Sequence, residues 1–511
     1  MTRKWLPLLT ICLSTFMLLV DVTIVSVAVP TMAHALNSSF SALQWTIDIY
    51  VLVLSALLMA AGSASDRLGR RRFFLVGMVV FALSSLACGL APDAGFLVAA
   101  RAVQGAGAAA MFAANAALIG SNYSGRDRGT AFGVWGAVMG AAAAVGPILG
   151  GLLTEHISWR AIFLVNLPVA VIAIVLGFRT LTDAKTSSNA RNDVLGTITF
   201  TLTATALVYG LIEAGDKGWG ASITVSSFVA AVVFLIAFLV VELRQEFPML
   251  DLSLFKRPSF SALMFGGIAL HLAAFGNLVY VSIWTQSVLH MDPVKSGLVL
   301  TPLAAVSFVV AIIGGRYLDE MSPRWPIGIG LILVGAGTAL DMGVGTDSSW
   351  TAMMAGLCVT GIGTGLTSPL LASAALGSVP PQRAGMANGA ITTFRQFGFA
   401  LAVPVFATVV TDTAKPILAG NHLVANPGDA AVQLTGGRAD ALIASAPGRL
   451  QGLVSTTVHH AYAAGLDRVF LVSTIVAVVA GVAVLVAPQS AAPAPEAPAP
   501  APKVAVPQPA E

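Results

Sequence analysis

The chain has 511 residues, 56% of them hydrophobic and only 10% charged, with a mean hydropathy of +0.85. A soluble domain carries about 25% charged residues, so a depletion this deep along the whole length excludes a soluble protein and points to a polytopic membrane protein. The formal net charge of +3 is distributed by topology and gives no indication of nucleic-acid binding.

About 20 apolar residues cross the ~30 Å hydrocarbon core of a bilayer. Such runs are predicted near 6–30, 44–64, 73–91, 96–118, 131–153, 161–178, 194–213, 223–242, 260–283, 297–314, 326–345, 350–376, 385–410 and 469–487. The expectation is an all-α membrane protein with fourteen transmembrane helices and both termini on one side. Arg3 and Lys4 before the first run imitate a signal peptide, but the run is too long and reads as a permanent span. With the N-terminus in the cytoplasm, eighteen of the 27 Lys and Arg residues fall inside and seven outside, as the positive-inside rule requires. Cys12, Cys88 and Cys358 lie singly in apolar runs, without zinc or disulfide spacing, and read as small core residues.

In the first run, "LLVDVTIVSVAVP" places one carboxylate, Asp21, among apolar residues. An aspartate at a bilayer centre costs about 2.5–3.5 kcal/mol, so it needs a partner or a task. The second run opens "QWTIDIYVLVLS", with Trp45 and Tyr50 suited to an interfacial aromatic belt. Gln44, Asp48 and Ser55 share a face there, lining a cavity or hydrated at its outer mouth. The loop "GSASDRLGRRR" follows, with Gly62, Asp66, Arg67, Gly69, Arg70 and Arg71. Its glycines permit a tight turn, and its charges either cap and pair helix ends or serve topology alone. In the fourth run, "RAVQGAGAAA" puts Arg101, Gln104, Ala108 and Asn115 on one helical face. Arg101 is either paired or snorkelling. Counting ~1.5 Å per residue, Asp21 and Arg101 sit at similar depth, and the two charges are placed to neutralise each other.

The fifth run, "GAVMGAAAAVGPILGG", spaces Gly136, Gly140 and Ala144 by four, so a neighbouring helix can approach closely. Gly146, Pro147, Gly150 and Gly151 continue it with a bend. Glu213 and Asp341 lie toward the outer ends of the seventh and eleventh runs, as substrate contacts or interfacial groups. His271 and Asn277, in the ninth, line a cavity or pack inside. The stretch of about 411–468 is polar and reads as a long outer loop. Its His459 and His460 lack zinc spacing. The Pro/Ala-rich tail, 488–511, reads as disordered. A weak repeat relates Gly62–Asp66 to Gly315–Asp319, which matches runs 1–6 with runs 9–14 around a central insert; internal repeats of this kind flank transporter cavities.

The loop resembles the major facilitator signature G-x-L-A-D-R-x-G-R-R, with Ala64 and Ser65 departing from it. The fourth run resembles R-x-x-Q-G-x-G-A-A, and the fifth G-P-x-x-G-G. "LVDVTIVSVAVP" is similar to L-D-x-T-I-V-N-V-A-L-P, with Ser26 in place of Asn. "WTIDIY", "WRAIFLVNLPVA", "PMLDLSLFKRPSF" and "RAGMANGAITTFRQFG" extend the likeness to the fourteen-span drug:proton antiporters of the EmrB/QacA type. The resemblance implies the major facilitator fold. Residues 1–180 would form an N-terminal six-helix bundle and 181–258 two extra central helices. Residues 259–487 would form a C-terminal six-helix bundle. It also implies a cytoplasmic gating loop at Gly62–Arg71, proton coupling at Asp21 and Arg101, and an antiporter motif from Gly136 to Gly151. Substrate contacts are expected at Asp48, Gln44, Tyr50, Gln104, Asn115, Glu213 and Asp341.

The function expected is proton-driven efflux of hydrophobic, cationic compounds across a bacterial cytoplasmic membrane. The alternatives are a dedicated exporter of one antibiotic, lipid or siderophore, and a proton-coupled importer, which the fifth-run motif argues against. No Walker loop occurs. A membrane enzyme is not indicated, no cofactor beyond the proton gradient is expected, and a monomer in the lipid bilayer is the expected state.

Overall fold

The computed structural model describes residues 3–38, 40–182, 193–245, 248, 250–317, 321–346, 348–379, 384–420, 426–437 and 439–488. Among these residues every regular element is helical: α1 Leu6–Ala35, α2 Phe40–Leu68, α3 Arg70–Gly89, α4 Ala94–Asn122, α5 Gly125–His156, α6 Ala161–Leu164, α7 Asn166–Thr180, α8 Val194–Lys217 and α9 Ser222–Arg244. The second half continues with α10 Pro258–Leu270, α11 Asn277–Ser287, α12 Pro293–Val299, α13 Thr301–Tyr317, α14 Arg324–Leu340, α15 Met354–Gly377, α16 Ala384–Gly420, α17 Pro427–Thr435, α18 Ala439–Ser445 and α19 Gln451–Val486. A π-helical segment, His271–Gly276, joins α10 to α11. Each of the fourteen apolar runs falls on this helical framework. Among the described residues eleven helical stretches are long and apolar enough to cross a membrane, and Thr301–Gly314 and Arg324–Leu340 are shorter apolar helices.

Local chemistry sets the boundaries. Gly69, at φ 92°, breaks the chain between α2 and α3, in a region that favours glycine. Asp93 accepts from Phe96 N at 2.9 Å and Asp193 from Gly196 N at 2.7 Å, capping α4 and α8. Asp292 caps α12 through Lys295 N at 2.8 Å, with Pro293 in the first turn, where its missing N–H costs nothing. At the chain start, Trp5 stacks on Tyr123, whose hydroxyl donates to the Lys4 carbonyl and accepts from Leu8 N.

Packing divides along the sequence. α3 and α2 pack on α4, and α1 packs on α5 and α7; in the second half α14 and α13 pack on α15, and α19 on α14 and α16. The halves meet chiefly where α5 packs on α13 and α2 on α16, with smaller contacts of α5 on α12 and α15 and of α4 on α15 and α16. α8 pairs with α9 and leans on α2 and α16. Tyr209 faces Trp45, and Trp219 Nε1 donates to Thr408 Oγ1 at 2.7 Å. The central pair therefore covers the α2–α16 junction. α9 is apolar all round and leaves Val229, Val232, Ile236 and Val240 exposed, as a lipid-facing helix does.

The stretch of 411–468, expected as a long outer loop, is largely helical among its described residues. α16 continues to Gly420, α17 and α18 follow, and α19 starts at Gln451 rather than near 469. Ala414, Leu418, Ala431, Leu434, Val458 and Tyr462 join Tyr280, Trp284 and Phe406 in one buried cluster. Small residues build this helical domain, so it shows no long apolar run. Asp319, the second member of the weak repeat, and the tail from 489 onward lie outside the described residues.

Candidate functional site

Asp21 and Arg101 are both wholly buried, and Arg101 Nη1 donates to Asp21 Oδ2. Depth-matching in the sequence foresaw this pair. The structure adds the shell that holds it. Asp21 Oδ1 accepts from Gln104 Nε2 at 3.1 Å and from Asn166 Nδ2 at 2.9 Å. Ser85 Oγ accepts from the same two amides at 3.2 and 3.0 Å and donates to the Phe163 carbonyl at 2.9 Å. Arg101 also donates to Gln104 Oε1 at 2.9 Å and, through Nε, to the Thr46 carbonyl at 2.8 Å. Its guanidinium lies over the Tyr50 ring, 4.1 Å from the centroid. Every helix from α1 to α4 thus contributes, with α6 and α7 completing the ring.

Burial of two charges is costly unless each spare donor and acceptor is satisfied. Among the described residues Arg101 Nη2 and Tyr50 Oη have no hydrogen-bond partner. One guanidinium nitrogen and one phenol are thus free to answer a change at the carboxylate. Tyr50 was expected at the interface. It is fully buried instead, because its ring is the floor beneath Arg101.

The other candidates separate. Asn115 lies fourteen residues along α4 from Arg101. It belongs to a second cluster: Ser14 Oγ donates to Asn115 Oδ1 at 3.2 Å, and Asn115 Nδ2 and Trp135 Nε1 donate to Thr15 Oγ1 at 2.9 and 2.8 Å. Glu213 pairs with Lys217 at 2.7 Å on α8. Asp341 ends α14 and packs against Gly356 of α15. The structure does not bring Glu213 or Asp341 to Asp21. The side chains of Gln44, Asp48, Gly140 and Pro147 lie outside the described residues.

Where α2 meets α3, Arg70 Nη2 and Nε donate to Asp66 Oδ1 at 3.0 and 3.1 Å. Asp66 Oδ2 accepts from Met386 N at 3.1 Å, in the first turn of α16. Asn388 Nδ2 donates to the Ala113 carbonyl of α4 at 2.7 Å. A methyl on Gly389 would lie 3.4 Å from Gly62 Cα. Arg71 Nη2 donates to the Phe178 carbonyl at 2.6 Å, and Arg67 sits in the field of Asp193 and Asp66. The loop therefore ties the first half of the chain to the second. In α5, Gly146 abuts the Thr23 side chain, and a methyl on Gly150 would lie 2.7 Å from the Ile24 carbonyl. These glycines press on α1 just past Asp21. Gly136 faces the Pro369 ring of α15 at 3.2–3.3 Å from its would-be Cβ.

Sequence reasoning missed Asn166, Ser85 and Asn388, although each is a polar side chain inside an apolar run. It also passed over Arg395. Among the described residues no group of three His, Cys, Asp or Glu side chains is placed to share a metal ion.

The sequence pattern of the Major Facilitator Superfamily matches residues 11–403. The chain belongs to that superfamily. The superfamily's members are transporters rather than enzymes. The chain is 32% identical over 495 residues, 94% of its length and 90% of the relative's, to the tetracenomycin C resistance and export protein of Streptomyces glaucescens. It is 35% identical over 424 residues, 82% of its length and 84% of the relative's, to the puromycin resistance protein of Streptomyces alboniger. With the multidrug resistance protein Stp of Mycobacterium tuberculosis it shares 32% over 418 residues, 81% of its length and 78% of the relative's. The human organic anion transporter MFSD10 has the same fold, with a TM-score of 0.57 at 15% identity over 93% of this chain and 100% of that one. This facilitator is a multi-pass membrane protein whose relatives are antibiotic and multidrug resistance exporters.

Proposed function

We propose that this facilitator is a fourteen-span antiporter of the bacterial cytoplasmic membrane, with both termini inside, that expels hydrophobic, cationic compounds in exchange for protons. The observation that carries the reading is the buried Asp21–Arg101 pair with its shell of Gln104, Asn166 and Ser85. A proton arriving at Asp21 neutralises the carboxylate and frees Arg101. The guanidinium then turns to the Gln104 and Thr46 oxygens it already contacts. Gly146 and Gly150 let α5 follow any shift of α1 at this point, which couples the proton site to helix motion. Asp66 and Asn388 hold the cytoplasmic side shut, and their release opens it. Asp48 and Gln44, near the outer mouth, supply recognition of positive charge. The proton gradient supplies the drive, with no further cofactor, and the exporter works as a monomer.

A second reading, a dedicated exporter of one compound, is favoured by the relatives whose names carry a single antibiotic. The test for the main reading is ethidium transport in inside-out vesicles under an imposed pH gradient. Wild type should accumulate ethidium and lose it when a protonophore is added. Asp21→Asn should lower accumulation at least tenfold. Accumulation that survives unchanged in Asp21→Asn removes Asp21 from coupling. Export of one antibiotic alone in a broad panel selects the second reading.

A further inference from the structure

We propose that Arg395 of α16 is the receptor for a carboxylate or similar oxyanion carried by an aromatic transported compound. The proposal rests on the export reading and adds a class of cargo to it. Two of the 27 Lys and Arg residues lie inside the apolar runs, Arg101 and Arg395. Arg101 has Asp21. Arg395 is 3% exposed, and among the described residues no carboxylate forms an ion pair with it. Its Nη2 donates to the carbonyl and hydroxyl of Ser368 at 2.6 and 2.7 Å. Among the described residues its buried Nε has no hydrogen-bond partner. A buried guanidinium without a counter-charge is expensive, and the neutral oxygens of one serine compensate only part of it.

The neighbours suit an aromatic anion. A methyl on Gly267 of α10 would lie 3.4 Å from Arg395 Cγ, so the arginine stem runs along this helix. One turn later His271 opens the π-helical segment, a feature frequent at functional sites. His271 lies within electrostatic reach of Arg395 and is hydrogen-bonded to the Gly267 carbonyl. The Phe275 ring is 5.1 Å from the His271 ring. Phe394 and Phe397 border the same core. Guanidinium N–H groups donate to oxyanions, and such charge-assisted bonds strengthen away from water. The first half of the transporter therefore carries a buried acid with its own base. The second half carries a buried base whose acid comes with the cargo.

A purely structural role, tying α16 to α15 through Ser368, would be indifferent to ligand charge. The test is isothermal titration calorimetry on the full chain in nanodiscs, with empty discs subtracted. The probes are naphthoate, naphthamide and naphthylmethylammonium, which differ chiefly in charge. Wild type should bind naphthoate at least tenfold more tightly than the amide. Arg395→Gln should abolish that preference and leave the ammonium probe within twofold. Arg395→Lys keeps the charge without the planar fork. It should weaken naphthoate roughly three- to tenfold, and it decides the matter if the Gln variant does not fold. Equal weakening of all three probes, unchanged naphthoate binding, or no naphthoate binding by wild type overturns the proposal. So does displacement by millimolar chloride, which would make Arg395 the seat of an inorganic counter-ion. Calorimetry needs no proton gradient, so this outcome and that of the Asp21→Asn transport test are independent.

Discussion

Asp21 takes three donors on two oxygens, from Arg101, Gln104 and Asn166. Deleting Arg101 leaves the carboxylate buried with amide partners alone, and losing one member of a buried pair costs about 3–5 kcal/mol. Arg101→Ala is therefore expected to destabilise the fold by about that amount. The same change made in Asp21→Asn should cost clearly less, since no buried charge is left uncompensated. A double-mutant cycle on equilibrium unfolding in mixed micelles checks this, and strict additivity would show that the pair is not energetically coupled. The pair itself was legible because two opposite charges interrupt apolar runs at equal depth. Asn166 and Ser85 were not, because an amide or hydroxyl in such a run is affordable when it bonds locally. Tyr50 was misplaced for a related reason: a tyrosine near a span end fits the interface by statistics, and only the position of Arg101 turns it inward.

Between elements, the small residues of α5 show what spacing reveals and what it leaves open. The four-residue step announced a close helix neighbour but not its identity. The structure shows two different partners on one helix: α1 at Gly146 and Gly150, and Pro369 of α15, in the second half, at Gly136. A methyl at Gly150 would meet the Ile24 carbonyl at 2.7 Å. Main chain cannot rotate away as a side chain does, and overpacking of this kind costs about 1–3 kcal/mol. Gly150→Ala should therefore lower the unfolding temperature and ethidium transport together. Gly220→Ala, where a methyl meets nothing within 4 Å, should change neither. Equal behaviour of the two variants in a thermal-shift and vesicle assay would show that α1 and α5 are not in tight contact. The helical domain built from α16 to α19 was illegible for the opposite reason. Its core is alanine-rich, with Ala414, Ala430, Ala431, Ala439 and Ala461, and hydropathy windows tuned to lipid-crossing runs pass over it.

For the whole molecule, an all-helical membrane protein was legible in the sequence, since charge depletion is summed over many residues. The way the halves meet depends on single contacts that composition does not encode. Three of them cluster at one end: Asp66 with Met386 N, Asn388 with the Ala113 carbonyl, and Gly389 against α2. All three join helices of the first half to the opening turns of α16, and in the proposed mechanism they hold that side shut. A hydrogen bond contributes about 0.5–1.5 kcal/mol net, and 1.4 kcal/mol is tenfold in an equilibrium constant. Losing the Asn388 bond should therefore move the open-to-shut ratio about two- to tenfold toward open. Asp66→Ala should move it further, because the carboxylate holds both Arg70 and the α16 terminus and bonds to a charged group are worth about 1.5–3 kcal/mol. Spin labels at Leu68 and Gly377, both exposed at helix ends in opposite halves, report that ratio by double electron–electron resonance. The expected order of the longer-distance population is wild type, then Asn388→Ala, then Asp66→Ala. Identical distance distributions in all three proteins would mean that the latch does not set the balance, and that the shut state is held by the packing of α5 on α13 and of α2 on α16.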